Sequence, residues 1–255
     1  MYDAFGAQVT LPAAGYRNIG YVHSIAGVAS MDMTLNGTET ATSSPSGALS
    51  SFAAPSVNGA AVSSTNQFTV GIGNAVQMDF GVDPVSGISW GRWQGNWVTS
   101  NSTQGIVPAG MGSDLHWFAL PTQTQAITLP VTGTIFYTYA GGTTPTDNYG
   151  TQGTLTSATL NANFTAQQVS VSIGVNMPAS SGVAAVQLNA AANNLPILPG
   201  ANFKTTTPTI TCTGCAATVT GAIGGQFSQG GLGAGVGYGL QNGMQAVSGA
   251  AVFHK

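Results

Sequence analysis

Residues 133–177 read GTIFYTYAGGTTPTDNYGTQGTLTSATLNANFTAQQVSVSIGVNM, and this stretch decides the fold. It holds three runs of strand-forming residues, separated by two polar connections of very different length. In the second and third runs apolar and polar residues alternate, which is typical of half-buried antiparallel strands. The apolar positions are Ala158, Leu160, Ala162, Phe164, Val169, Val171, Ile173, Val175 and Met177. Residues 165–167 are few enough for a hairpin loop, so the stretch predicts a β-meander with one buried face.

Short strand patterns continue on both sides of this meander. Further strands are predicted near residues 7–11, 19–25, 28–35, 67–72, 76–82, 115–121, 126–129, 209–212, 216–227, 234–240 and 245–253. Gly73-Asn74 and Asn242-Gly243 are predicted hairpin turns, and residues 179–207 are predicted to form a short helix and a loop. We therefore predict an all-β fold, an antiparallel meander closing into a small barrel of about eight strands, with an additional N-terminal β and loop region.

Composition divides the chain into two parts. Residues 36–65 are rich in Ser, Thr, Ala, Gly and Pro and show almost no periodicity, which is typical of a long loop. We therefore assign residues 1–65 to N-terminal strands and a Ser/Thr-rich loop. Residues 66–255 are assigned to an antiparallel β-barrel domain.

The N-terminal arm, residues 1–12, contains a short alternating run of its own. Ala7, Val9 and Leu11 alternate with polar residues, and the run ends at Pro12. An extended segment of this kind either pairs within its own domain or completes the sheet edge of a neighbouring copy. Both alternatives are open at the level of sequence.

Charge is unusually scarce. Asp, Glu, Lys and Arg make up 4% of the chain, against roughly 25% in ordinary globular domains. The formal net charge is −3, and the basic residues are Arg17, Arg92, Lys204 and Lys255. Four scattered cations cannot displace the counterions of a nucleic acid, so this class of partner is excluded. The same scarcity argues against acid–base catalysis and predicts no enzyme activity.

Low net charge also removes the repulsion that keeps soluble proteins apart. The chain is therefore expected to associate with its own copies or with other surface proteins, unless the neutral polar residues are simply the compositional habit of secreted bacterial β proteins. No segment is long and apolar enough for a membrane-spanning helix. The first residues lack a signal-peptide pattern, so the chain is expected to be mature, trimmed or part of a longer one.

Cys212 and Cys215 are the only cysteines, in the pattern Cys-Thr-Gly-Cys. No His follows Cys215, which excludes the usual haem-attachment motif, and no second Cys pair completes a zinc site. The flanking residues favour strands, whereas a thioredoxin-type motif opens a helix. We predict a structural disulfide across a tight hairpin turn, formed in an oxidising compartment.

Tryptophan is concentrated in ISWGRWQGNWVTS (88–100) and in the neighbouring strand candidate LHWFALP (115–121). The four residues are Trp90, Trp93, Trp97 and Trp117. They form either an aromatic platform for haem or a glycan, or the packed aromatics of a core or barrel end. Core packing is the interpretation that this pattern favours.

Metal and catalytic patterns are weak. Asp79 and Asp83 flank a strand end and suggest calcium, but two carboxylates fall far short of the six to eight oxygens that calcium takes. His23, His116 and His254 lie far apart without a ligand spacing. We predict no metal site, no cofactor and no catalytic residue.

Four segments resemble a known family in their order along the chain. They are GISWGRWQG (87–95), LHWFALPT (115–122), residues 133–173, and GGQFSQGGLGAGVGYGLQNGMQAVSGAAVF (224–253). Together they are similar to the C-terminal β-barrel domain of bacterial FecR-domain and related surface proteins. That domain is itself similar to the eight-stranded barrels of transferrin-binding protein B and Slam-exported lipoproteins.

The resemblance covers roughly residues 67–255 and rests on strand motifs. It implies an exported extracellular or cell-surface barrel, in some members a haem or metal-carrier binder, without enzyme activity. The chain departs from the family in its Ser/Thr-rich first third and in having no Cys near its start. The expected function is a structural or interaction protein, which self-assembles into a filament or surface layer. The alternative is a surface module that binds haem or a glycan.

Overall fold

The computed structural model describes residues 17–25, 28–39, 48–54, 56–57, 60–61, 68–101, 105–108, 113–180 and 182–255. The N-terminal arm, with Ala7, Val9 and Leu11, lies outside the described residues, as does most of the Ser/Thr-rich loop. All regular elements of the described part are strands, apart from one 3-10 turn at Gln229–Gly231.

Eleven strands precede residue 120 in the described chain. They are β1 (Asn18–Ile25), β2 (Val28–Glu39), β3 (Ser51–Ala54), β4 (Ser56–Val57), β5 (Ala60–Ala61), β6 (Phe68–Gly71), β7 (Val76–Val82), β8 (Ser89–Gln94), β9 (Val98–Asn101), β10 (Gly105–Pro108) and β11 (Asp114–Ala119). Nine of them form what we call the first sheet, in the order β10-β9-β6-β3-β2-β1-β11-β8-β7, and β4 pairs only with β5.

Ten strands follow. They are β12 (Thr134–Gly142), β13 (Thr146–Asp147), β14 (Thr154–Asn163), β15 (Gln168–Met177), β16 (Val186–Pro196), β17 (Asn202–Thr205), β18 (Thr209–Thr213), β19 (Val219–Phe227), β20 (Gly233–Asn242) and β21 (Gln245–His254). They form the barrel sheet, in the order β17-β19-β20-β21-β12-β14-β15-β16-β18, with β13 paired to β21. The two ends of this sheet curl towards each other. β18 is the last strand at one end and β19 is the second strand at the other, yet a Cβ added at Gly221 on β19 would lie 3.3 Å from Ile210 on β18.

The predicted meander is confirmed. β12 pairs with β14 and β14 with β15, all antiparallel, and the turn at residues 164–167 joins the last two. Alternate side chains from Leu160 to Phe164 and from Val169 to Met177 are at most 2% exposed. Each such burial stabilises the fold by about 1.5–3 kcal/mol. Side chains from all the long strands of the barrel sheet meet in this one core, so the predicted all-β barrel class is confirmed.

Three local predictions are wrong. β6 and β7 do not form a hairpin around Gly73-Asn74, because β6 pairs with β3 and β9 while β7 pairs with β8. Residues 126–129 form no strand, and residues 186–196, assigned to a helix and loop, form β16. The hairpin predicted at Asn242-Gly243 is present, since β20 pairs directly with β21, but its loop is one residue later: Asn242 still pairs with Gln245, and Gly243, with a φ of 57°, begins the two-residue turn.

The strand pairing also divides the chain at another place than the composition suggested. Residues 68–119, which we had grouped with the barrel, belong to the first sheet, and the change of sheet falls between Ala119 and Thr134. Pairing between strands that are distant in sequence decides which sheet a strand joins, and composition alone does not indicate such pairing.

The first sheet packs against the outside of the barrel at β20 and β21, which are buried on both faces. Glycine allows the close approach: a Cβ at Gly235 would lie 2.1 Å from the ring of Phe118, and one at Gly141 would lie 2.3 Å from Trp90. The absence of side chains at these glycines therefore allows the two sheets to pack closely.

Candidate functional site

Among the described side chains, the largest group of exposed apolar residues on one strand belongs to β7, the last strand of the first sheet. Val76, Met78, Phe80 and Val82 are 61%, 44%, 37% and 45% exposed. In the described part of the chain no further strand pairs with the outer side of β7, and the unpaired side of an edge strand is a template for pairing with another chain. We call this surface the β7 edge.

The inner side of β7 is firmly held. A bulge between Gln77 and Phe80 interrupts the pairing with β8, and the Gln77 side chain fills the gap. Its Nε2 donates to the backbone oxygen of Arg92 at 3.1 Å, and its Oε1 accepts from Trp93 Nε1 at 3.0 Å. The Phe80 ring lies 6.3 Å from that of Trp117, centroid to centroid. The edge is thus a fixed surface with an apolar outer rim.

A charged network lies behind this edge, in the contact between the two sheets. Arg92 is 1% exposed and donates from Nε to Asp79 Oδ2 at 2.9 Å and from Nη1 to Asp114 Oδ1 at 3.2 Å. The amide of Thr144, which follows β12, donates to Asp79 Oδ2 at 2.8 Å. Burial raises the pKa of Asp114, and the nearby Arg92 opposes that rise. The network ties the edge to the barrel.

His116 extends the polar contact between the sheets. It is fully buried, and its Nδ1 and Nε2 lie 2.8 and 2.9 Å from the hydroxyl oxygens of Thr143 and Thr146. Burial, reinforced by the positive charge of Arg92, holds the pKa of His116 well below its usual value. This neutral ring orients the backbone around Thr143 and Thr146.

A second polar contact pins the turn between β7 and β8. Asp83 accepts from the amide of Ser86 at 2.7 Å and from its hydroxyl, and its Oδ1 lies 2.9 Å from His254 Nδ1 on β21. Burial opposes ionisation of Asp83, but these hydrogen bonds outweigh it and the pKa is lowered. Asp79 and Asp83 therefore have structural partners within the fold. No metal-ligating cluster occurs among the described residues.

Asp147 organises the connection between β13 and β14 in a similar way. Its carboxylate accepts from the amides of Tyr149 and Thr151 at 3.0 and 2.8 Å, and from Gln245 Nε2 at 3.0 Å. A carboxylate that is buried and hydrogen-bonded on this scale is a structural group. The acidic residues of the described core thus stabilise loops and sheet contacts.

The tryptophans do not form an open platform. Trp93, Trp97 and Trp117 are at most 2% exposed and belong to the core of the first sheet. Trp90 is half-buried and packs over Gly81 and Gly141. The physical reason is that these large apolar rings fill the space inside the curved sheet, as the packing interpretation expected.

Cys212 and Cys215 form a disulfide, with Cα atoms 5.9 Å apart, at the end of β18. It closes the start of the connection to β19 and does not join two paired strands, because β18 pairs with β16. The disulfide and the β7 edge therefore lie on different sheets. No helix in the described part of the chain has the length and hydropathy needed to cross a bilayer.

Sequence reasoning identified β7 as a strand but missed its place at an edge. The signal was the alternation of Val76, Met78, Phe80 and Val82, which was assigned to a hairpin with β6. The charged network also escaped prediction, because Asp79 and Thr144 are 65 residues apart.

No protein-family model matches the chain, and a comparison with curated proteins finds no match. Among solved structures it is similar to a double mutant of Transferrin Binding Protein B from Haemophilus parasuis Hp5, with 11% identity and a TM-score of 0.38 over 93% of this chain and 44% of that one. It is also similar to intact Ap-TbpB with its N and C lobes, with 10% identity and a TM-score of 0.36 over 98% of this chain and 48% of that one.

A third likeness is to a Bacteroides fragilis NCTC 9343 protein assigned to the outer membrane, with 13% identity and a TM-score of 0.29 over 94% of this chain and 95% of that one. The chain spans less than half the length of the two transferrin-binding proteins. No family model supports the FecR-domain part of the sequence resemblance. At TM-scores this low, the architecture rests on the strand pairing alone.

Proposed function

We propose that this chain is an exported, non-catalytic β protein of the bacterial cell surface or extracellular space, which acts by binding copies of itself. One observation carries the proposal: no described strand pairs with the outer side of β7, and its exposed side chains are apolar, while the charged groups nearby are bound within the fold. Arg92 binds both Asp79 and Asp114. Asp83 accepts from the backbone amide of Ser86. An unprotected strand edge is a template for pairing with another chain.

The non-catalytic part of the proposal follows from how the titratable groups are used. His116 is buried between two threonine hydroxyls, and His254 binds Asp83. A general base has to reach the proton that it removes. These histidines instead have partners that hold strands and turns in place.

The extracellular location is supported by the surface and by the disulfide. Exposed positions of β14 carry Thr, Ser and Asn, where a cytosolic protein often carries Lys and Glu. Disulfides form and persist in oxidising compartments, and Cys212–Cys215 is such a bond. The family resemblance, with its surface barrels, agrees with this location, and the FecR-domain relationship remains part of the proposal.

Self-association can be measured directly. Sedimentation velocity over a range of concentrations, with negative-stain electron microscopy, should show dimers or longer assemblies whose fraction grows with concentration. A filament or surface layer would appear as an extended array. A monodisperse monomer at the highest concentration would overturn the self-association.

Haem or glycan binding is the alternative that the tryptophans suggested. Burial of Trp93, Trp97 and Trp117 leaves this alternative without an open aromatic surface in the described part of the chain. Titrating intrinsic tryptophan fluorescence with haem and with oligosaccharides should therefore give no saturable change. A saturable change with either ligand would favour the binding module.

A further inference from the structure

The β7 edge has the properties of an acceptor for one more strand. Natural edge strands are usually protected by charged side chains, by proline or by a covering loop. The one charged residue of β7, Asp79, is turned to Arg92 and Thr144. Its outward apolar residues, from Val76 to Val82, are left for a partner that brings both backbone groups and apolar side chains.

The N-terminal arm has the pattern of a donor strand. Ala7, Val9 and Leu11 alternate with Gln8 and Thr10, and Pro12 ends the run. Such a segment can pair through its backbone and place every second side chain on an apolar surface. Its five residues fit along β7, which has seven.

The chain enters the first sheet at the end where β7 stops. Arg17 Nε donates to the backbone oxygen of Leu120 at 3.0 Å, and the guanidinium also binds the hydroxyl of Ser89. Ser89 pairs with Val82, the last residue of β7. Ser89 pairs with Ala119 and Ala119 with Ile19, so Ile19 is in the same row as Val82, three strands away, and Arg17 comes two residues before it.

Reach limits how the arm of the same chain could use this edge. A strand added beside β7 would lie four strand spacings from β1, about 19 Å along the sheet at about 4.8 Å each. The direct distance is shorter because the first sheet is curved: β3 and β8 are also four spacings apart, yet the Phe52 and Trp93 ring centroids are separated by 6.0 Å. The six Cα steps from Leu11 to Arg17 span at most about 21 Å. The start of β1 is level with the Val82 end of β7, so the same-chain arm would meet that end first with Leu11 and would run parallel to β7.

Parallel pairing would be foreign to this fold. Each described strand pair is antiparallel. An arm from a second copy has no such restriction, because it can approach from either end of β7. Its antiparallel approach gives the more stable ladder.

We infer that residues 7–11 of a second copy pair antiparallel with the β7 edge, so that self-association proceeds by strand donation. This inference rests on the proposed function and specifies its partner segment. The backbone of the donor satisfies the outer N–H and C=O groups of β7, and its apolar side chains cover Phe80 and Val82. Reciprocal donation gives a closed dimer, and donation in one direction gives a chain of copies.

The first test compares three variants by sedimentation velocity. Phe80→Lys places a charge on the acceptor, and deletion of residues 1–11 removes the donor. Val131→Lys is the matched control, because Val131 is 82% exposed and lies outside both sheets. The first two variants should raise the apparent dissociation constant of the assembly at least about tenfold, and the control should leave it unchanged. Circular dichroism checks that each variant keeps its strands.

The second test identifies the contact by cross-linking. Both native cysteines are held in one disulfide, so introduced thiols are the free ones. Val9→Cys protein and Phe80→Cys protein, carrying tags of different mass, are mixed and oxidised. The expected product is a disulfide between the two different chains, formed in preference to either homodimer. The double variant, with both changes in one chain, should cross-link between molecules.

The outcomes separate the two levels of the proposal. Assembly that survives both Phe80→Lys and the arm deletion leaves self-association standing and overturns strand donation. Loss of assembly with Phe80→Lys but not with the deletion means that β7 pairs with another β7, which also overturns it. A cross-link within one chain at all concentrations shows that the arm covers its own edge. A monomer under all conditions overturns the proposed self-association itself.

Discussion

The barrel interior and the contact between the two sheets are both buried and both contain apolar side chains, but the contact also contains a charged network. The barrel core consists of aliphatic and aromatic residues such as Ile173, Leu188 and Phe203, all fully buried. The sheet contact holds Arg92 and Asp114, which are also almost completely buried. A chain with 4% charged residues thus places charge where two sheets must meet in one orientation.

The difference teaches what each kind of contact can specify. Apolar burial is strong but non-directional, so it closes the barrel without fixing the position of a second sheet. Hydrogen-bonded ion pairs are directional, and they are costly when one partner is missing. The polar contact therefore sets the orientation of the first sheet, and with it the position of the β7 edge.

Replacing Arg92, the buried cation of the sheet contact, should cause the largest loss of stability. Arg92→Met leaves Asp79 and Asp114 without their counterion, and breaking a buried pair in this way costs about 3–5 kcal/mol. Chemical denaturation at pH 7 measures the loss. Because burial already raises the pKa of Asp114, the variant should lose less stability at pH 5, where more of this carboxyl is protonated in the folded state.

Lys204→Met is the matched control, since Lys204 is exposed on the barrel sheet. A surface substitution of this kind changes stability by about 0.5 kcal/mol or less. Equal effects of the two substitutions would mean that the buried network contributes nothing specific to the contact.

The close approach of the two sheets provides a second, smaller test. Gly235→Ala puts a Cβ 2.1 Å from the Phe118 ring, so the ring or the strand must move. Overpacking of this kind costs about 1–3 kcal/mol. The measurement is the midpoint of thermal or urea unfolding.

Gly71→Ala is the matched substitution away from the contact. Its added Cβ would lie 3.6 Å from Val98, which is an ordinary packing distance. If both alanine substitutions lower the free energy of unfolding equally, the close approach of the two sheets does not require glycine at position 235.

The fold was predictable where one strand carries its own signal. The alternation from Val169 to Met177 fixes which face is buried whatever strand lies beside it. β16 was missed because Ala190, Ala191 and Ala192 have low strand propensity, although alternate residues of β16 are buried as in its neighbours.

Partner choice and the site were not predictable for a different reason. The turn at Gly73-Asn74 looks like a hairpin signal, but distant strands decide which neighbour β7 takes. Asp79 meets Arg92 and Thr144 only after both sheets have formed. The tryptophan pattern fitted both a platform and a core, and only the curvature of the first sheet decides between them.

The disulfide lies outside both buried regions, so it should matter less than either. Cys215 follows Cys212 by three positions. In the chain-entropy description, closing so short a loop stabilises the fold by about 2 kcal/mol at most. Replacing both by Ser should lower the free energy of unfolding by that amount or less, measured in urea. Hydrogen exchange should rise only near β18, and faster exchange in β20 and β21 would contradict this local role.

The smallest effect should be a change in acid sensitivity, at the turn that joins β7 to the barrel. The pKa of Asp83 is lowered from its usual 3.8, because hydrogen bonds from Ser86 and His254 outweigh the burial that opposes them. A lowered pKa contributes stability that is present above the unfolded-state pKa and lost as the pH falls through the folded-state value. Asp83→Asn cannot titrate, so its stability should fall less steeply than that of the wild type below pH 3.8. Urea midpoints between pH 6 and pH 2.5, about the range needed, give this slope. Equal slopes for the two proteins would show that Asp83 does not link the β7 turn to the barrel through its charge.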